Sequence, residues 1–165
     1  MTYTKIDHPT IVLSSNPNSI LIKAFNETTG ALSLPATADL TVGFEERSGQ
    51  DAYVTRLLYK VYGAKDEQLL LDGSPDEKSI VIGGDSAGAG LRVRGNSQAA
   101  AKVTFMVDSI AVGSLANLLD VSDGVREGCG KGTILFRTEG YDNDGLWFVS
   151  APLYVQLTVR YPPCR

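Results

Sequence analysis

From Leu153 to Tyr161 the chain alternates without a break. Leu153, Val155, Leu157, Val159 and Tyr161 fall on one side, and Tyr154, Gln156, Thr158 and Arg160 fall on the other. Side chains along a β-strand point to opposite faces with a period of two residues. The run therefore predicts a strand with one buried and one wet face. Pro162-Pro163 ends it, because proline has no N–H to give to the ladder.

Similar runs recur along the chain. Thr10 to Ser14 and Ser19 to Phe25 are set apart by the turn-type cluster Ser15-Asn16-Pro17-Asn18. Ala38 to Glu46 places Leu40, Val42 and Phe44 on one face, and Ala52 to Tyr62 reads as one long strand. Ser79 to Gly83 and Gly90 to Arg94 flank a Gly-rich loop. Ala101 to Val112, Thr133 to Thr138 and Trp147 to Ser150 complete nine or ten strands. Ser114 to Asp120 predicts a short helix, with a capping-type serine and Leu115, Leu118 and Leu119 on one face. Asp66 to Leu71 reads as one further helical turn. Connections are short and rich in Gly, Pro, Asn, Asp and Ser, whereas a βαβ fold needs a helix of ten or more residues between strands. The expectation is an all-β fold: an antiparallel β-sandwich, jelly-roll or immunoglobulin-like, with one short helix near 114–120.

No linker, repeat or low-complexity tract divides the 165 residues, so they are expected to form one domain, with 1–9 and 162–165 as terminal arms. The composition, 43% hydrophobic and 21% charged, is that of a folded chain. The net charge is −4 and the 15 Lys and Arg are scattered. Nucleic-acid binding draws its affinity from clustered cations, so no direct nucleic-acid contact is expected, and no anionic membrane partner. No apolar run approaches the ~20 residues that span a bilayer, and the first residues do not read as a secretory signal.

Three motifs bear on chemistry. Gly84-Asp85-Ser86-Ala87-Gly88 resembles the nucleophile elbow of lipase-like α/β-hydrolases. That elbow needs a helix after the serine and a later histidine. Here a strand-like alternation follows, and the single histidine is His8. The motif reads as a flexible loop, and the protein is expected not to be an enzyme. Asp142-Asn143-Asp144-Gly145 has the opening of a calcium loop, but Trp147, Phe148 and Val149 stand where ligands would follow. Asp-Gly is also a hairpin turn. No metal and no cofactor are expected. Two cysteines and a distant histidine make no zinc site. Cys129 and Cys164 are a candidate disulfide tying the C-terminal tail to the loop Gly128-Cys129-Gly130, worth ~3–4 kcal/mol if formed.

Tyrosine is frequent on the predicted strands. Exposed aromatic residues favour interfaces and carbohydrate contacts, which makes Tyr53, Tyr59, Tyr141, Trp147, Tyr154 and Tyr161 candidate interface residues. The pattern as a whole is similar to that of jelly-roll coat proteins of small viruses, which finish with a strand and a short tail. The likeness implies a self-assembling virion component, and the missing basic arm points to a coat, decoration or tail protein rather than a genome-packaging shell. Copies of itself or other subunits would be its partners. Two alternatives are an exported pilus subunit or adhesin at the cell surface, with Ser19 to Phe25 as donor strand, and a lectin-like carbohydrate-binding module.

Overall fold

The run that opens the sequence argument is a strand from Leu153 to Arg160, with Val155, Leu157 and Val159 buried and Tyr154 and Gln156 exposed. The computed structural model describes residues 8–31, 33, 35–63, 68–69, 77–82, 90–107 and 129–160. In chain order its strands are β1 (Ile11–Asn16), β2 (Ser19–Lys23), β3 (Ala36–Glu46), β4 (Ala52–Tyr62), β5 (Gln68–Leu69) and β6 (Lys78–Val81). They continue with β7 (Leu91–Val93), β8 (Gln98–Val107), β9 (Cys129–Asp142), β10 (Trp147–Val149) and β11 (Leu153–Arg160).

They form two sheets. One is three-stranded, β1-β3-β8, and antiparallel throughout. The other is eight-stranded and runs β2-β11-β9-β4-β5. In it β6 and β7 also lie along β4, and β10 lies along β9. Its pairings are antiparallel except that of β2 with β11, which is parallel. The β3–β8 and β4–β9–β11 pairings match the B–E and C–F–G pairings of an immunoglobulin-type sandwich. The first strand is divided between the sheets as β1 and β2.

The inward faces of the two sheets form one core. Leu40, Val42, Phe44, Val103 and Phe105 come from the smaller sheet, and Ile22, Leu57, Ile134, Phe136 and Leu157 from the larger. The Tyr59 ring joins the layers, 5.6 Å edge-on from Phe105 and 6.0 Å from Phe136. Burying one such side chain contributes about 1.5–3 kcal/mol. An exposed ion pair such as Lys23–Glu27, at 3.3 Å, contributes about 0–1 kcal/mol. Packing between the sheets therefore dominates the stability.

Three expectations need correction. Gln68–Leu69 is not part of a helical turn but pairs with Val61 and Tyr62, because the end of β4 offers its open edge there. Cys129 stands at the start of β9 opposite Arg160, not in a loop. β9 is also much longer than Thr133 to Thr138, since Gly130, Gly132 and Gly140 occupy inward positions and blur the apolar alternation. The predicted helix near 114–120, residues 1–7, Tyr161 and Cys164 lie outside the described residues, and the described residues contain no helix.

Candidate interaction face

Register, rather than sequence proximity, assembles the most distinctive surface. On the outer face of the larger sheet, Arg92 of β7 lies opposite Tyr53 of β4, Tyr53 opposite Tyr141 of β9, and Tyr141 opposite Trp147 of β10. Adjacent strands are ~4.7–4.9 Å apart, so Tyr53 and Trp147 stand about 10 Å apart with Tyr141 between them. Two residues along β9 and β10, Arg56, Glu139 and Val149 form a second row on the same face.

Each end of the aromatic row is held by a polar contact. The Trp147 side chain, 57% exposed, donates its Nε1–H to Glu139 Oε2 at 3.3 Å. At the other end Arg92 donates from Nη2 to Asp51 Oδ2 at 2.8 Å, and Asp51 Oδ1 accepts the Gly95 N–H at 2.9 Å. The Arg92 guanidinium, helped by the Gly95 N–H, holds the Asp51 carboxyl below the usual carboxylate range. Asp51 in turn raises Arg92 above its ordinary value. Both groups therefore stay charged near neutral pH.

The β9–β10 turn positions Trp147. Asp142 is buried, and its Oδ1 accepts the N–H groups of Asp144 at 2.8 Å and Leu146 at 2.9 Å. Gly145 takes the positive φ of 79° that the turn requires. The Asp-x-Asp-Gly spacing is thus an acidic turn whose first carboxylate serves the backbone. Asp142→Ala is expected to lower stability by about 1–2 kcal/mol through the unpaired amides, read by urea denaturation.

Beside β10 a shallow groove of about 280 Å³ is lined by His8, Pro9, Trp147, Phe148 and Val149. His8 is exposed and its carbonyl accepts from Ser48 Oγ at 3.3 Å. A second hollow of about 330 Å³ is bounded by Lys60, Tyr62, Glu77, Leu135, Arg137 and Pro152. There Arg137 grips both carboxylate oxygens of Glu77, from Nε at 3.0 Å and from Nη2.

Of the aromatic residues singled out by sequence, the structure brings Tyr53, Tyr141 and Trp147 together. Tyr154, 61% exposed, is on the same outer face opposite Leu135. It lies six residues along β9 from Tyr141, about 20 Å away. Tyr59 points inward and belongs to the core. Sequence reasoning missed Arg92, Asp51 and Glu139, which only strand register carries to the row. Ser86 lies outside the described residues. The strands on either side of it, β6 and β7, both return to β4, and Leu91 begins β7 only five positions after Ser86.

No protein-family model matches the chain, and no curated protein matches it. Solved structures similar to it include the structural-genomics target SoR45, at 8% identity and a TM-score of 0.47, over 89% of this chain and 84% of that one. Another is a Bordetella pertussis protein described as ApaA, at 9% identity and a TM-score of 0.46, over 94% and 95% of the two chains. A third is the CooA pilin subunit of enterotoxigenic Escherichia coli, at 13% identity and a TM-score of 0.36, over 94% and 100%.

Proposed function

We propose that this protein is a non-enzymatic structural subunit that assembles with copies of itself or with other subunits, in a virion, as a coat, decoration or tail component. One observation carries the reading. Leu21, Val81, Trp147 and Tyr154, four of the large apolar side chains left exposed, stand on the outer face of one sheet. Large apolar groups gathered on one face of a folded chain favour a partner surface. The end of that face away from the aromatic row suits a subunit contact best. There Leu21 stands on the edge strand β2, and Tyr154 lies opposite Leu135.

The native chain is expected to form a large closed or helical particle by electron microscopy and light scattering. Tyr154→Asp and Leu21→Asp are expected to disperse it, with the circular-dichroism spectrum unchanged. A wild-type chain that stays monomeric at high concentration, with or without reductant, would sink the proposal.

The second reading, an exported pilus subunit or adhesin at the cell surface, makes Ser19 to Phe25 a donor strand. In this chain Ser19–Lys23 runs parallel to β11 from Gln156 to Arg160. Exchange would require β2 to leave β11. Fibres that vanish when this segment is deleted, while a soluble fold persists, would favour that reading.

A further inference from the structure

We infer that the row Arg92–Tyr53–Tyr141–Trp147 is a glycan-binding face that takes a short run of pyranose rings. The assembly proposed above rests most on Leu21 and Tyr154 at the far end of this face, and the inference concerns the end that carries Trp147.

A pyranose presents a flat C–H face and an edge of hydroxyl groups. It is held by aromatic faces flanked by groups that both donate and accept hydrogen bonds. The outer face of the larger sheet supplies this combination. Three aromatic side chains stand on three adjacent strands, about 10 Å from first to last, which is room for more than one ring. The polar groups are interleaved with them. Glu139 touches the Trp147 indole, and Arg92 abuts Tyr53 with its side chain 52% exposed.

A protein partner is the less suitable occupant. The buried centre of a protein–protein contact is depleted of charged residues. Here Arg92, Arg56 and Glu139 stand beside the rings rather than at a distant rim. A sugar takes those charges as hydrogen-bond partners without leaving them dry and unpaired. The groove of about 280 Å³ bounded by His8, Pro9 and Trp147 is small and open, close to the lower end of small-ligand sites.

The row is also held in place before any ligand arrives. Asp142 pins the turn that carries Trp147, and Glu139 fixes the indole through its N–H. Asp51 fixes Arg92. Binding then requires little further ordering of side chains, which favours affinity for small, weakly held ligands. Glu139 retains a second carboxylate oxygen and Arg92 further N–H donors by their chemistry.

Trp147 is the one tryptophan of the chain, so its fluorescence reports on this face alone. The test titrates the full chain with cellobiose, lactose, N,N′-diacetylchitobiose and sialyllactose, and applies the labelled chain to a glycan array. At least one glycan is expected to shift or quench the Trp147 emission saturably. Tyr141→Leu and Glu139→Gln are expected to weaken that binding at least tenfold, with circular dichroism and thermal unfolding unchanged. Lys102→Ala, exposed on β8 of the smaller sheet, is expected to leave it unchanged. No emission change with the disaccharides together with no retention on the array overturns the proposal. So does binding that Tyr141→Leu and Glu139→Gln leave intact. A Trp147→Ala variant that alters particle size while the wild type binds no glycan assigns the row to a subunit contact instead.

Discussion

Gly140→Ala is expected to destabilise the protein by about 3 kcal/mol and to displace Trp147, although it adds a single methyl group. Gly140 sits in β9 opposite Val54, where β4 carries a bulge between Val54 and Arg56. The extra residue, Thr55, locally bends the strand, as β-bulges do. A Cβ at Gly140 would run into the Tyr53 carbonyl oxygen, with the Tyr53 carbonyl carbon at 2.9 Å and Val54 Cα at 3.0 Å. On the other side of β4, a Cβ at Gly90 would meet the Val54 carbonyl of the next peptide. β4 is thus flanked by glycine on both sides where it bulges. The obstacles are backbone atoms, which cannot rotate away as a side chain can, so the strands must part. Overpacking of this kind costs about 1–3 kcal/mol or more, and the upper end applies here. Urea denaturation measures the loss, and a shifted Trp147 emission reports the distorted row. A stability within 0.5 kcal/mol of wild type, an interval typical of neutral surface changes, would contradict the close approach.

Glu46→Ala is expected to cost more, about 3–4 kcal/mol. Glu46 is the last inward residue of β3 and is 1% exposed, at a position where the alternation places apolar side chains. Its Oε2 accepts the Thr10 N–H at 2.6 Å and the Ser48 hydroxyl at 2.8 Å. Its Oε1 accepts the N–H groups of Ser48 at 2.7 Å and Gln50 at 3.0 Å. One carboxylate therefore ties the entry to β1 and the β3–β4 turn to the edge of the core. Hydrogen bonds to a charged group contribute about 1.5–3 kcal/mol each, and orphaned buried donors carry their own penalty. Glu46→Gln keeps the shape and one acceptor oxygen but turns an NH₂ toward N–H donors, so about 2 kcal/mol is expected.

The same group predicts a pH dependence. Burial by itself would raise the Glu46 pKa. The Ser48 hydroxyl and the N–H groups of Thr10, Gln50 and Ser48 overcome this and hold it below the ordinary glutamate value. A carboxyl whose pKa is lowered on folding stabilises the protein fully above its unfolded value of about 4.3. That contribution is lost as pH falls through the folded value. Thermal unfolding of wild type should show this acid-side loss, and Glu46→Ala should show a correspondingly shallower profile. Parallel profiles for the two would remove Glu46 from its assigned role.

The sequence announced the strands better than their company. Where inward residues are bulky, as in β11, β3 and the second half of β4, period two is plain and the elements stand where the pattern puts them. It fails in β9, where Gly130, Gly132 and Gly140 take inward positions, and at Gly140 neighbouring backbone comes too close for a side chain. Glu46 also follows the even-numbered inward face of β3, but a carboxylate in that series reads as the end of a buried stretch. Only the ring of donors around it explains its burial. The aromatic row was half legible. Tyr53, Tyr141 and Trp147 stand out in the sequence as aromatic residues, Tyr141 beyond the end of the predicted strand, but nothing local distinguishes them from Tyr59, which points the other way. Arg92 and Glu139 join them through cross-strand register, a long-range property that no window of sequence contains.

The seam between β2 and β11 bears on how the chain reaches its native state. Ile20 lies alongside Leu157 and Ile22 alongside Val159, so residues synthesised early must wait for others synthesised late. Closing so long a loop is entropically costly, and nascent chains dominated by such distant pairings fold slowly. During that wait Ile20 and Ile22 lack the neighbours that will cover them, and unsatisfied strand edges of this kind recruit other chains. The β2–β11 seam is therefore expected to close late, after β11 has joined β9.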